Sequence, residues 1–170
     1  MIAGGKHNLI GISGKMGSGK DTLSIVMNYI ADDNAPDSIG RWKQPVDEFV
    51  YENKKYSEKL KYMVCFLLGC SRSDLENREF KEKELGEEWD GLTPRKLLQL
   101  LGTEAGREII HPNIWVNGLF ADYVCDDCGQ KECPTDEEDT GQMIHRSFPN
   151  WIITDVRFPN EAQAIKDRGG

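Results

Sequence analysis

One stretch, NLIGISGKMGSGKDTL at residues 8–23, restricts what this chain can fold into more than any other. Residues 8–13 form a short apolar run that reads as a buried strand. Gly14, Lys15, Gly17, Ser18, Gly19 and Lys20 then fit the spacing G-x-x-x-x-G-K. Leu23, Val26, Met27 and Ile30 follow at helical intervals and predict a helix over residues 20–31. Strand, glycine loop and helix in that order are the context the motif requires. Glycines let the backbone curl until successive N–H groups point inward, and the helix N-terminus adds partial positive charge. Such a loop cradles phosphate groups, with Lys20 reaching the β- and γ-phosphates of a nucleotide.

Asp21 stands where the motif commonly has Ser or Thr, whose hydroxyl ligates Mg²⁺. A carboxylate is also a hard oxygen ligand and could hold the ion directly or through water, with Thr22 as the alternative hydroxyl. An acid in the first helical turn is equally what the helix dipole favours without any metal. Both readings stay open on the loop alone.

A second buried strand is predicted at WIITDV, residues 151–156, followed by a helix through NEAQAIKDRGG. Asp155 closes that strand, the usual place for a Mg²⁺ partner beside a phosphate loop. Two-residue periodicity puts Arg157 on the same side, suited to a substrate phosphate. The plainer alternative is a structural Asp155–Arg157 pair at a strand end. Between the strands, Leu60, Val64, Leu67 and Leu68 mark a helix stopped near Gly69, and residues 71–92 are charged and weakly periodic. Residues 32–48 read as a surface connection. Thr93 before Pro94 opens a further helix over 93–107, and residues 111–124 are apolar nearly all round, as in a buried helix. At 100° per residue, Arg95, Gln99, Gly102 and Gly106 share one stripe of the 93–107 helix, with Thr103 and Arg107 at its edge. Two glycines there would let something approach closely; a solvated face is the bland alternative. The fold class is therefore α/β, a parallel sheet flanked by helices. In a βαβ unit the next strand begins where Gly169–Gly170 stops the helix, so the C-terminal strand or strands are expected to be missing.

Composition narrows the function. The 170 residues are 38% hydrophobic and 29% charged, enough for one domain with a proper core. A net charge of −8 argues against a broad grip on a nucleic acid polymer. No apolar run spans a bilayer, and the N-terminus lacks a signal-peptide pattern, so the cytoplasm is the default. Five cysteines without an export signal point to free thiols or a metal. Cys125, Cys128 and Cys133, with His145 further on, could complete a structural zinc site. An acidic loop with reduced thiols is the alternative.

GKMGSGKDT, EKLKYMVCFLLG, FKEKEL, TPRKLLQLLGTEAGREIIHPNIWVNGLF and WIITDVRFPNEAQAIKDRGG, in that order, resemble the deoxynucleoside monophosphate kinases of tailed bacteriophages. The similarity covers most of the chain. Members of that family also carry Asp after the loop Lys. The resemblance implies a nucleoside monophosphate kinase-like P-loop fold. It also implies transfer of the ATP γ-phosphoryl group, with Mg²⁺, to a deoxynucleoside 5′-monophosphate, in the host cytoplasm if the protein is phage-encoded. For that chemistry Lys20, Asp155 and Arg157 are the candidates for catalysis, and Asp21 or Thr22 with Asp155 for Mg²⁺. Arg95 and Arg107 would sit near the acceptor phosphate, Gln99 near the base, and Lys61 matches a family Lys. The chain then divides into a single kinase domain over 1–170, with a helical monophosphate-binding region at about 57–124 and a cysteine-bearing insertion at about 125–150. The family continues past the Gly-Gly with further strands. The expected partners are small nucleotides, with no membrane; a homodimer is left open. Trp115 could stack on a base, but a core role fits its apolar helix better.

Two rivals remain on the residues. A GTPase switch should show Asn-Lys-x-Asp, and NKKY at 53–56 fails at the last position. A hydrolytic ATPase often places an acid directly after the strand Asp, where this chain has Val156. A binding remnant without turnover is the third reading.

Overall fold

The computed structural model describes residues 9–15, 17–31, 50–131 and 148–170. These form two compact units, one of Met1–Lys55 with Phe120–Gly170 and one of Tyr56–Leu119.

The first unit is built on a three-stranded, all-parallel sheet in the order β1-β3-β2, with β1 at Leu9–Ser13, β2 at Glu52–Lys54 and β3 at Trp151–Val156. Every residue of β3 is buried. A central parallel strand covered on both faces favours consecutive apolar residues, here Trp151 to Ile153, which is why WIITDV is legible as a strand. β1 pairs Leu9 with Trp151 and Gly11 with Ile153, then shifts register before Ser13 meets Val156. The expected α/β class with a parallel sheet is what the chain forms. β2 is an addition, since the sequence reading had no strand at Glu52–Lys54. Glu-Asn-Lys has little strand propensity, and its register against Trp151, Ile152 and Ile153 is set by the partner strand.

Helix α1, Lys20–Ala31, starts where the spacing predicted, but a different face is buried. Leu23 and Ile30 are exposed, whereas Ser24 and Asn28 are buried. Asn28 explains the choice: its Nδ2 donates to the Ser24 carbonyl at 3.3 Å, and its Oδ1 accepts from the Tyr51 amide at 2.7 Å. The helix thus turns a polar pair inward to satisfy the backbone just before β2. Behind the sheet, Trp151 meets the Tyr123 ring edge-on at 4.8 Å and Phe120 stacked at 6.4 Å. Burial pushes the Tyr123 hydroxyl up to about 12. The last helix of the unit, Pro159–Lys166, is opened by its proline.

The second unit is helical. Helix α2, Glu58–Leu68, ends at Gly69, whose φ of 63° makes the left-handed cap the sequence indicated. The charged stretch after it folds into α3, Arg72–Glu76, and α4, Arg78–Glu82, then a short 3₁₀ turn at Glu87–Trp89. Ser71 and Asp74 form a capping box, which starts α3 despite its weak periodicity. Helix α5, Pro94–Gln99, opens on Thr93, whose hydroxyl accepts from the Lys96 amide at 3.2 Å. From Leu100 to Ile110 the helix widens into π turns. A Cβ on Gly102 would lie 2.8 Å from Leu60, and one on Gly106 would lie 3.0 Å from the Trp115 ring. The neighbours of these two glycines are therefore core side chains, while Arg95 and Gln99 of the same stripe stay exposed. Trp115, on α6 at Ile114–Phe120, is buried and donates its indole N–H to the Gly102 carbonyl at 2.7 Å. That bond satisfies a carbonyl inside the π segment and fixes Trp115 as a core residue. Among the described residues no helix is long and apolar enough to cross a membrane.

Candidate phosphate-binding site

The glycine loop leaves the C-terminal end of β1 and runs into α1. Gly17 and Gly19 both have φ of 78°, a left-handed geometry that side-chain-bearing residues rarely adopt. The Ser18 amide closes a turn on the Lys15 carbonyl at 3.2 Å, and α1 begins with Leu23 N–H on the Gly19 carbonyl at 2.8 Å. Lys20 folds back over the loop, its Nζ donating to the carbonyls of Gly14 at 2.9 Å and Lys15 at 2.7 Å. A cation held at the head of a twelve-residue helix beside a left-handed glycine turn suits an anionic phosphate chain. Asp21 and Thr22 are exposed on the first turn of the same helix.

Asp21 has two partners that sequence reasoning did not name. Lys55, the residue after β2, places Nζ 2.9 Å from its Oδ1, and the Thr154 hydroxyl on β3 donates to the same oxygen at 3.0 Å. The Lys55 hydrogen bond is the main reason this carboxyl is held below the ordinary aspartate range, so it is ionised at neutral pH. Thr154 was visible only as a polar residue inside an apolar strand. Lys55 was hidden because β2 itself was not recognised.

Asp155, next along β3, is buried. Arg157 lies just beyond the strand with its side chain exposed, and its amide donates to Glu161 Oε2 at 2.7 Å. The Phe158 amide shares that oxygen at 3.0 Å. Glu161 is only 1% exposed, so a buried carboxylate clamps the backbone that carries Arg157. Its signal in the sequence is a Glu at the third helical position, two residues after Pro159, from which a side chain can reach back to the N-cap amide.

The four residues assigned to the acceptor lie in the second unit. Lys61 on α2 pairs with Glu76 at 2.6 Å, and Arg95 on α5 pairs with Glu82 at 2.5 Å. Gln99 is exposed at the end of α5, and Arg107 is half-buried on the π segment. In the cysteine stretch, the Gly129 amide bonds the Cys125 carbonyl at 2.8 Å, closing a tight turn that holds Cys125 and Cys128. Cys133 and His145 lie outside the described residues. Among the described residues no group of three or more His, Cys, Asp or Glu is arranged to hold a metal.

The chain is 26% identical to the deoxynucleoside-5′-monophosphate kinase of Escherichia phage T5, an alignment covering 94% of this chain and 72% of that protein. It is also 26% identical to a protein of Acanthamoeba polyphaga mimivirus provisionally named deoxynucleotide monophosphate kinase, over 95% of this chain and 70% of the other. The chain is related to these viral kinases. No family model matches it, and no solved structure does. The resemblance drawn from the glycine loop, the Leu-Gln-x-Leu-Gly-Thr helix and the Asp-x-Arg strand end is thereby borne out.

Proposed function

We propose that this chain is an ATP-dependent kinase that transfers the γ-phosphoryl group of ATP to a deoxynucleoside 5′-monophosphate, giving the diphosphate. The observation that carries the reading is the glycine loop at the head of α1 with Lys20 folded across it, in a chain related to deoxynucleotide kinases. We read residues 1–170 as one kinase domain, with 57–124 serving the monophosphate and 125–150 as an insertion.

Phosphoryl transfer asks the protein for alignment and charge neutralisation more than for covalent work. The loop amides of Gly17 and Gly19 and the Lys20 ammonium hold the donor phosphates. On nucleotide binding Lys20 exchanges its loop carbonyls for phosphate oxygens, so its bonds are kept in number and gain charge assistance. The acceptor phosphate oxygen is already anionic, and no general base is required. Arg157, Arg95 and Arg107 are assigned to the acceptor phosphate and the charge that develops in the transition state, and Gln99 to the base edge. Mg²⁺ bound with ATP would supply further neutralisation, and Asp21, Thr22 and Asp155 are the oxygen donors offered to it.

The test is to incubate the purified protein with Mg·ATP and each deoxynucleoside monophosphate in turn and follow the diphosphates. Products that require both substrates support the kinase. ATP consumed at the same rate without an acceptor overturns it in favour of an ATPase, and no turnover with retained ATP binding favours a binding remnant. Within the kinase reading, Arg95→Ala is expected to raise KM for the monophosphate about 10–100-fold, the loss of a charge-assisted phosphate contact. KM for ATP should change less than twofold, within the error of an exposed substitution. Steady-state kinetics with each substrate varied in turn decides it.

A further inference from the structure

We propose that Lys55 is a positioning residue of the phosphate site, cancelling the charge of Asp21 so that a polyphosphate can occupy the glycine loop whether or not a metal ion accompanies it. The inference rests on reading Gly14–Lys20 as a phosphate loop and assigns Lys55 a role that reading does not need.

Asp21 directly follows Lys20 on the first turn of α1, so an uncompensated carboxylate there would repel the same phosphates that Lys20 attracts. The carboxylate is instead met on one oxygen by Lys55 at 2.9 Å and by the Thr154 hydroxyl at 3.0 Å. Two donors from separate segments fix both its charge balance and its direction. Lys55 is delivered by the sheet: β2 ends at Lys54, which pairs with Ile153, so the next residues of the two strands are Lys55 and Thr154. Stability is a poor reason for the pair. The side chains are 37% and 73% exposed, and an ion pair so open to water adds little to folding. Its consequence is the local field at the loop.

The test is calorimetric titration of ATP at low salt, once with EDTA and once with excess Mg²⁺. Lys55→Met is expected to weaken binding about tenfold in EDTA, the scale of one uncompensated charge near a partly screened site, and less in Mg²⁺. Lys55→Arg should retain affinity. Adding Asp21→Asn to the Lys55→Met chain removes both charges and should restore EDTA binding to within about twofold of the unaltered protein, the signature of direct coupling. That rescue separates a charge effect from a folding defect. Equal affinity of Lys55→Met and the unaltered protein in EDTA, or no rescue by Asp21→Asn, overturns this inference and leaves the kinase reading standing. Failure of the unaltered protein to bind ATP overturns the phosphate-loop reading and this inference with it.

Discussion

Replacing Lys20 by alanine is expected to lower the rate of diphosphate formation by about 10²–10³-fold, the usual cost of removing one preorganised donor from a developing charge. The folded state should hardly notice. The two hydrogen bonds of Lys20 go to the carbonyls of Gly14 and Lys15, which are open to solvent and can turn to water once the side chain is gone. Single-turnover product formation and a urea midpoint on the same sample separate the two effects. A rate within a few-fold of the unaltered enzyme would remove the donor phosphates from this loop. Lys20→Arg should rescue poorly, because a planar fork does not fit the space of a compact ammonium folded over a tight loop.

Glu161→Ala carries the largest expected loss of stability, about 2–4 kcal/mol, since two backbone amides lose a charged acceptor in a buried place. Glu161 is 1% exposed and accepts from Arg157 N–H at 2.7 Å and Phe158 N–H at 3.0 Å. Alanine offers neither amide an acceptor. Glu161→Gln keeps a carbonyl oxygen at the same reach and should recover most of the loss. Urea unfolding of the two variants tests the pair, and equal stabilities for Ala and Gln would contradict it. Where Glu161→Ala remains folded, kcat should fall as well, because the clamp fixes the backbone from which Arg157 projects.

What could be read in advance was local. The glycine turn after β1, the start of α1, the Thr93–Pro94 entry to α5 and the Gly69 cap each depend on a few adjacent residues whose backbone preferences are strong. WIITDV was legible because a central parallel strand carries a consecutive apolar run, here Trp151 to Ile153. The misses share a different cause. Strand β2 is three polar residues held by a partner about a hundred positions away, so nothing local announces it. The stripe Arg95-Gln99-Gly102-Gly106 was drawn on a 3.6-residue period, but the helix widens at Leu100 and its glycines accept Leu60 and Trp115. In α1 the expected apolar stripe yields to Ser24 and Asn28, because a backbone amide at Tyr51 needs an acceptor. At the candidate site the glycine turn and Lys20 could be placed from adjacent residues, whereas Lys55 and Thr154 reach Asp21 only through the sheet. Glu161 was in plain view as a cap and was passed over.

The position of β3 also sets an order of events during synthesis. It is the middle strand, and both β1 and β2 find their pairing partner in it. As the chain leaves the ribosome, the glycine loop after β1 emerges long before β3, the strand that must flank it. The second unit is one continuous segment, Tyr56–Leu119, rich in short-range helical contacts, so it can settle while translation proceeds. The parallel sheet cannot; it waits for residues 151–156, and until then its glycine loop is a tether without a floor.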